Sequence, residues 1–328
     1  MILKKNRDRK LSSNYRPISL LSCIGKCYVR LIKNALDAAT TRLGTIPEIH
    51  SGFRKNRSTQ ENFLRLSEGI AESFKRKNVT VGAFLDLDKA FHRIHHDSLR
   101  VKLIRQHLPP KIIRSISSFL RDRILCRRGD RAKRRSADAW RMPPGKHSFS
   151  FPLHSPFRWR AYNLRRGWRR RQHLRRRLEL WISAKNLDEA IFLLQRRINI
   201  FATWCDKWRL SPAPSKLYAI AFSRKKSVKV EAKNRTILMN GDKINWSNDV
   251  CFLGVIYDED LNFKSHLDKL IKNSYGKIRS IRRLCQHGIN LDTEIMVGLI
   301  HSLILSTFLY SAPAYLGISP LTWRRVLC

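Results

Sequence analysis

Two carboxylates of this chain, Asp86 and Asp88, stand where an apolar run that begins at Val79 becomes polar. Residues two apart in a strand share a face, so Phe84, Asp86 and Asp88 would project to the same side of a sheet. Carboxylates at the end of a buried strand are suited to hold a divalent metal ion. The alternative is a strand that ends in solvated charges, and this stretch alone favours that alternative.

The charge of the chain points to a polyanionic partner. Its 328 residues include 66 Lys and Arg against 25 Asp and Glu, a formal net charge of +41. A balance this basic is typical of proteins that bind nucleic acid. The alternative is a set of basic faces that are merely solvated. The length allows several subdomains around a sizeable core.

The cysteines and the first residues predict an intracellular protein, in the cytoplasm and nucleus, that is not secreted. Seven cysteines occur without a Cys-x-x-Cys pair and without the His/Cys spacing of a zinc site. Their odd number and irregular spacing suit reduced, mostly buried thiols. Residues 1–10 lack the apolar core of a signal peptide.

One run near the end of the sequence resembles a membrane span in length. Residues 295–318 contain no Lys, Arg, Asp or Glu, but they include His301, several serines and Pro313. We expect a buried helix followed by a turn, and no association with a membrane.

Hydrophobic spacing and turn residues predict an alternation of helices and strands. The second helix is expected to begin at a Ser58 or Thr59 cap, and the hairpin signal is Asn240-Gly241. The predicted helices cover residues 25–38, 60–77, 98–107, 111–120, 188–208 and 266–284. Strands are predicted from residue 79 onward and at 217–222 and 251–257.

The stretch from Arg127 to Arg177 differs from the rest of the chain. It holds 16 arginines and 2 lysines against 2 acidic residues, and neither the helical nor the strand period persists there. Runs such as 168–171 and 175–177 repel themselves and cannot form a core. One interpretation is an arginine-rich arm that binds RNA.

Several blocks, taken in order, resemble the reverse transcriptases of non-LTR retrotransposons, particularly jockey-like elements. The resemblance covers nearly the whole chain except the region near 127–177, and the order of the blocks makes it far more specific than any one block. The blocks are NYRPISLL (14–21), SGFRKNRST (51–59), FLDLDKAF (84–91), WCDKWRLSPAPSKLYAIAFSRKK (204–226), FLGVIYDEDLNFKSHL (252–267) and LIHSLILSTFLYSAPAYLG (299–317).

The resemblance implies an α+β protein with the right-hand polymerase fold of fingers, palm and thumb. It also implies an RNA template, a DNA primer and deoxynucleoside triphosphates as partners, and Mg²⁺ as cofactor. The expected division is fingers at 1–80, the first part of the palm at 81–126, a disordered or misfolded arginine-rich segment at 127–177, the second part of the palm at 178–250, and the primer-holding hairpin and thumb at 251–328.

By the same resemblance, Asp86 is the first catalytic carboxylate and a Mg²⁺ ligand. Lys216 falls where a lysine approaches the leaving pyrophosphate, and Arg16 and Arg54 fall in finger segments that contact the template and the triphosphate. Phe91 matches the aromatic residue that selects deoxynucleotides.

The hairpin that holds the primer end in this family matches Phe252, Leu253, Gly254 and Val255. His92 departs from the pattern, because many relatives have Asp there.

Half of the expected active site is missing from the sequence. The family has a Tyr/Phe-Ala-Asp-Asp box on a hairpin that follows a Pro-Gln-Gly segment, and no Asp-Asp pair occurs anywhere in this chain. Both motifs would fall between about 140 and 178 by the resemblance, inside the arginine-rich stretch. The positions of the second and third carboxylates are then occupied by Arg176 and Arg177.

A shift of reading frame is compatible with both losses. Residues 173–178 written as CAC CTA CGC CGA CGA CTN, read one base later, give Thr-Tyr-Ala-Asp-Asp. Residues 141–147 written as CGG ATG CCC CCA GGG AAG CAT give Gly-Cys-Pro-Gln-Gly-Ser-Ile in the same shifted frame. We therefore hypothesise a compensated frameshift over roughly 127–177, with a genuine arginine-rich insertion as the alternative.

Three interpretations of function remain open at this point. The first is a truncated, decayed reverse transcriptase copy that is inactive and folds poorly, because cations replace carboxylates and the central hairpin of the palm is lost. The second is a catalytically dead RNA-binding protein that retains the polymerase scaffold. The third is a gene-model translation from which no stable protein is made.

Overall fold

The structure is a computed structural model, and two compact units divide the chain. The first unit is drawn from residues 1–53, 87–162 and 203–211, and the second from 54–86, 163–202 and 212–328. The residues that the structure describes are 2–3, 15–16, 21–46, 51, 54, 56–87, 95–121, 172–174, 177–213, 216–286 and 292–315.

Helices and strands are interspersed along the chain. The helices are α1 (Cys23–Arg42), α2 (Gln60–Lys75), α3 (His96–Arg105), α4 (Pro110–Leu120), α5 (Leu187–Lys207), α6 (Lys226–Asn234), α7 (Lys264–Gln286), α8 (Thr293–Ile300) and α9 (Ser306–Ser311). The strands are β1 (Ile2–Leu3), β2 (Tyr15–Arg16), β3 (Val79–Asp86), β4 (Gln172–Leu174), β5 (Arg177–Ala184), β6 (Tyr218–Phe222), β7 (Leu238–Met239), β8 (Asp242–Lys243), β9 (Asn245–Trp246), β10 (Asp249–Phe252) and β11 (Val255–Asp258).

The first unit is built around helices α1, α3 and α4. One apolar face of each helix is buried in a shared core, whose fully buried members include Leu36, Leu103 and Ile116. The apolar residues of each helix in this core recur at helical spacing, which is why the pattern predicted helices here.

The second unit contains a five-stranded sheet in the order β4-β5-β3-β6-β9. Strand β3 lies in the middle and pairs antiparallel with both β5 and β6, while β9 runs parallel to β6. Strand β3 is buried from Val79 to Leu85, so both of its faces are covered, and all of these residues except Thr80 are apolar. The sheet thus delivers the end of β3, Asp86, from a rigid position.

Helix α2 packs against this sheet through a position that has no side chain. A Cβ added at Gly69 would lie 2.4 Å from the indole of Trp181 on β5, so glycine is required for the close approach. Phe63, Leu66 and Ile70 of the same helix are fully buried, as predicted. Thr59 occupies the predicted cap position of α2, but its side chain makes no capping bond, and the Ser58 amide donates to Glu61.

Two short hairpins follow the sheet. Asn240-Gly241 joins β7 to β8 with φ values of 53° and 88°, which confirms the predicted turn. Residues 251–257 do not form one strand as the periodicity indicated. They form most of the β10–β11 hairpin, whose turn residues Leu253 and Gly254 have φ values of 52° and 101°.

The end of the described chain contradicts the expectation of a buried helix at 295–318. Helix α8 continues through a π-helical turn at His301–Leu305 into α9, and most of its apolar side chains are exposed, among them Ile295, Leu303 and Leu309. Residues Thr293–Ala314 are long and apolar enough to cross a membrane by length and composition. Composition could not reveal whether a core covers this helix.

The cysteines are also more exposed than predicted. Of those in the described residues, Cys205 is buried, whereas Cys23, Cys27, Cys251 and Cys285 are exposed free thiols. The division into fingers, palm and thumb stays a prediction, and most of the arginine-rich segment lies outside the described residues.

Candidate active site

Asp86 is the last residue of β3 and follows directly after the buried part of that strand. Its side chain keeps 13% of its surface exposed, whereas the preceding residues from Val79 are buried. The backbone amide of Ala213 donates to the Asp86 carbonyl at 2.8 Å, which ties the strand end to the segment that leads into β6. Asp86 is therefore a carboxylate held on rigid backbone at the rim of the sheet.

The two oxygens of this carboxylate differ in their environment. Oδ2 accepts a hydrogen bond from Lys216 Nζ at 3.2 Å. Oδ1 is buried and has no hydrogen-bond partner among the described residues. A buried oxygen without a donor is costly unless a cation or water satisfies it, so Oδ1 is the atom most suited to a metal ion.

The neighbouring strand places an arginine where a second carboxylate is expected. Arg177 is the backbone partner of Asp86 in the β3–β5 register, and it also pairs with Leu174 of β4. Strands β4 and β5 pair antiparallel, with Leu174 opposite Arg177. Residues 175–176 lie outside the described residues, so the expected loss of the palm's central hairpin stays a prediction.

These residues do not fit a site for two Mg²⁺ ions. Such a site needs several carboxylates that bridge the ions, and no group of three or more His, Cys, Asp or Glu residues is positioned for a metal in the described part of the chain. Asp86 supplies one carboxylate, and one of its oxygens already binds Lys216. Asp88, the second carboxylate of the predicted pair, lies outside the described residues.

Glu179, which the sequence argument did not single out, is buried on the same face of the sheet. It lies opposite Phe84, two residues along β5 from Arg177, and its side chain is fully inaccessible. Both carboxyl oxygens lack a hydrogen-bond partner in the described residues, and burial raises the pKa of Glu179 well above its ordinary value. The signal was a lone acid inside the apolar run of residues 178–184.

The predicted primer-holding residues form the turn of the β10–β11 hairpin. Phe252 and Val255 are buried in the core of the second unit, while Leu253 and Gly254 form the tip. The Tyr310 hydroxyl on α9 donates to the Leu253 carbonyl at 2.9 Å. The turn is thus fixed from below by the core and from the side by α9.

The remaining predicted residues are placed less completely. Arg16 lies in β2, whose backbone pairs with β1, and Arg54 is partly buried just before α2. Phe91 and His92 lie outside the described residues. The structure thus brings Asp86 and Lys216 together, and the expected roles of Arg16, Arg54 and Phe91 stay predictions.

Comparison with known proteins agrees with the sheet and with the sequence blocks. Residues 2–147 match the family described as reverse transcriptase (RNA-dependent DNA polymerase). The chain is 27% identical, over 87% of its length, to a probable RNA-directed DNA polymerase from transposon BS of Drosophila melanogaster. It is 26% identical, over 98% of its length, to the RNA-directed DNA polymerase from mobile element jockey of Drosophila funebris.

A shorter region is more similar still. Over 123 residues, 38% of the chain, it is 35% identical to a probable RNA-directed DNA polymerase from transposon X-element of Drosophila melanogaster. The chain spans 32% of the transposon BS protein and 35% of the jockey protein. Residues 2–147 thus match the reverse transcriptase family, and the chain is similar to RNA-directed DNA polymerases of jockey and related transposons, of whose length it spans about a third.

Proposed function

We propose that this chain is part of an RNA-directed DNA polymerase that retains the scaffold for an RNA template, a DNA primer and deoxynucleoside triphosphates but does not incorporate nucleotides. The observation that carries the proposal is the register of Arg177 directly opposite Asp86. Arginine at this register position supplies a cation where a divalent metal site needs a carboxylate. An intracellular location, in the cytoplasm and nucleus, belongs to the same proposal.

The loss of the carboxylates fits a compensated change of reading frame. The family match ends at residue 147, inside the arginine-rich stretch, while the jockey protein aligns over 98% of the chain. Leu174 and Arg177, which pair across β4 and β5, stand where the shifted reading has Tyr and the second Asp of the box. Reading the gene for 127–177 one base later tests this directly: a Tyr-Ala-Asp-Asp sequence there supports the proposal, and its absence refutes the frameshift.

Primer extension tests the loss of activity. The purified chain is incubated with an RNA template, a DNA primer, deoxynucleoside triphosphates and Mg²⁺, beside an Asp86→Asn variant. We expect no extension from either protein. Extension by the chain that disappears in the Asp86→Asn variant would contradict the proposal.

Metal binding tests the same site without requiring catalysis. The double change Arg176→Asp and Arg177→Asp should create Mn²⁺ binding, measured by electron paramagnetic resonance, that the unchanged chain lacks. The matched control, Arg170→Asp with Arg171→Asp, alters the net charge equally and should leave Mn²⁺ unbound. Equal binding by both variants would show that charge alone, and not the position beside Asp86, attracts the ion.

The second candidate function is RNA binding without catalysis, which the net charge of +41 favours. Such binding should weaken steeply as salt rises, because bound phosphates release condensed counterions. It is compatible with the first proposal, since a scaffold without its carboxylates still presents its basic surface.

A further inference from the structure

The first unit contains a cavity of about 740 Å³ between α3 and α4, whereas Asp86 belongs to the second unit. Its apolar floor includes Leu108 and Ile113, which belong to the buried core of that unit. Polar and cationic side chains surround this floor. Those that matter here are Arg100, His107, Arg114, Ser118 and Arg121.

The charge on these two helices is one-sided. From His96 to Arg121 the sequence contains one acidic residue, Asp97, and it does not line the cavity. Arg100, Arg114 and Arg121 are exposed, and none of them has an ion pair with any residue that the structure describes. Three unpaired guanidinium groups around one cavity favour an anionic ligand.

The spacing on α4 favours a ligand with repeated charges. Arg114, Ser118 and Arg121 lie four and three residues apart, so they follow one another along a single face of the helix. Arg114 and Arg121 are separated by about 10.5 Å along the helix axis. A row of this length can contact several phosphates of an extended strand, which recur along it.

The floor of the cavity adds a surface for bases. Ile104, which is 51% exposed, and His107, whose backbone has a φ of 55°, also line the cavity. Sites for single-stranded nucleic acid combine a cationic groove for the backbone with flat or apolar side chains that contact bases. An acidic peptide would use the arginines but would leave this apolar floor without a matching partner.

We propose that the α3–α4 cavity binds single-stranded RNA. Arg114, Arg121 and Arg100 contact the phosphates, and the apolar floor together with Ile104 and His107 contacts the bases. The choice of RNA rests on the proposed function, while the site itself is separate from Asp86 in the sequence and needs neither metal nor nucleotide. Failure at one site can therefore be told from failure at the other.

The test uses the full chain and a fluorescent oligouridine RNA of twelve nucleotides. Because the chain is basic throughout, the change Arg114→Gln with Arg121→Gln is compared with Arg30→Gln and Arg42→Gln, two exposed arginines of α1 that do not line the cavity. The cavity variant should bind RNA about tenfold more weakly and should reduce the salt slope by about 1.4. The α1 variant should change both quantities much less.

Crosslinking locates the contact. With 4-thiouridine in the RNA, crosslinked peptides should come from residues 100–121, and the cavity variant should lose them while its circular dichroism stays unchanged. Equal weakening by the two variants, or no crosslink in 100–121, would overturn the proposal. So would an oligoglutamate peptide that binds the cavity more tightly than the RNA does at the same salt concentration.

Discussion

Strands β3 and β5 are neighbours in one sheet, yet they differ in how well their side chains suit their places. Strand β3 is apolar through Leu85 and then presents Asp86 at the rim. Strand β5 pairs with it residue for residue but buries Glu179 opposite Phe84 and begins with Arg177 opposite Asp86. The residues of β3 therefore match their buried and exposed positions, whereas β5 buries a carboxyl group at Glu179 and has an arginine opposite Asp86.

The difference teaches that pairing and chemistry depend on different residues. Leu178, Leu180 and Ile182 face the side of the sheet opposite to Glu179 and are all buried. This alternation is enough to set the register, because a slip of one residue would exchange the two faces. Catalytic and core positions on the other face have no such redundancy, and a single residue changes them.

The largest effect on the free energy of unfolding should come from truncating Phe84, the apolar partner of Glu179 on β3. Phe84 is buried in the core of the second unit, 5.6 Å from the ring of Phe252. Phe84→Ala should lower the free energy of unfolding by about 3–5 kcal/mol in urea denaturation. Phe192, an exposed aromatic of α5, is the control, and Phe192→Ala should cost less than about 0.5 kcal/mol. Similar costs at both sites would mean that Phe84 is not in a packed core.

Replacing the unsuitable partner should have the opposite sign. Glu179→Leu removes a buried carboxyl without hydrogen bonds and should raise the free energy of unfolding by about 1–3 kcal/mol. The matched control is Glu68→Leu at an exposed position of α2, where little change is expected. A destabilised Glu179→Leu variant would show that the carboxyl is satisfied in solution.

The same carboxyl should make stability depend on pH. Its folded pKa is raised above the ordinary 4.5, so the folded state binds the proton more tightly than the unfolded state does. The resulting stability is fully present below pH 4.5 and is lost as pH rises towards the folded pKa, by at most about 1.4 kcal/mol per pH unit. Urea denaturation between pH 4 and 8 should show this slope in the unchanged chain and not in Glu179→Gln. Parallel profiles would contradict it.

The smallest effect should come from the rim of β3. Lys216 is 56% exposed where it meets Asp86, so water screens most of the attraction. A double-mutant cycle with Lys216→Met and Asp86→Asn should give a coupling below about 1 kcal/mol. A much larger coupling would mean that the pair holds the strand end in place and does more than partner the carboxylate.

Much of the fold could be predicted from local patterns. The helical spacing around Phe63, Leu66 and Ile70, the run that begins at Val79, and the Asn240-Gly241 turn all describe short-range preferences that the structure confirms. The Asp86–Lys216 contact was not predicted, because 130 residues separate the two side chains and the resemblance assigned them separate roles.

Other features depend on partners that local patterns do not reveal. The apolar run at 295–318 reads as a core helix because burial is the usual fate of such residues, but few neighbours cover α8 and α9 in the described chain. Glu179 was missed because its burial depends on pairing with β3.

The hydrogen bond from Tyr310 to the Leu253 carbonyl connects the apolar helix α8–α9 to the turn of the β10–β11 hairpin. The same end of the helix is held to α2, where Gln60 donates to the Leu309 carbonyl at 3.1 Å and Ser67 donates to the Ala314 carbonyl, just beyond α9, at 2.5 Å. A force that displaces this helix must break these bonds or carry the hairpin tip with it. A force on the exposed apolar side chains of α8 and α9 is thereby transmitted to the β10–β11 turn, which is predicted to hold a primer.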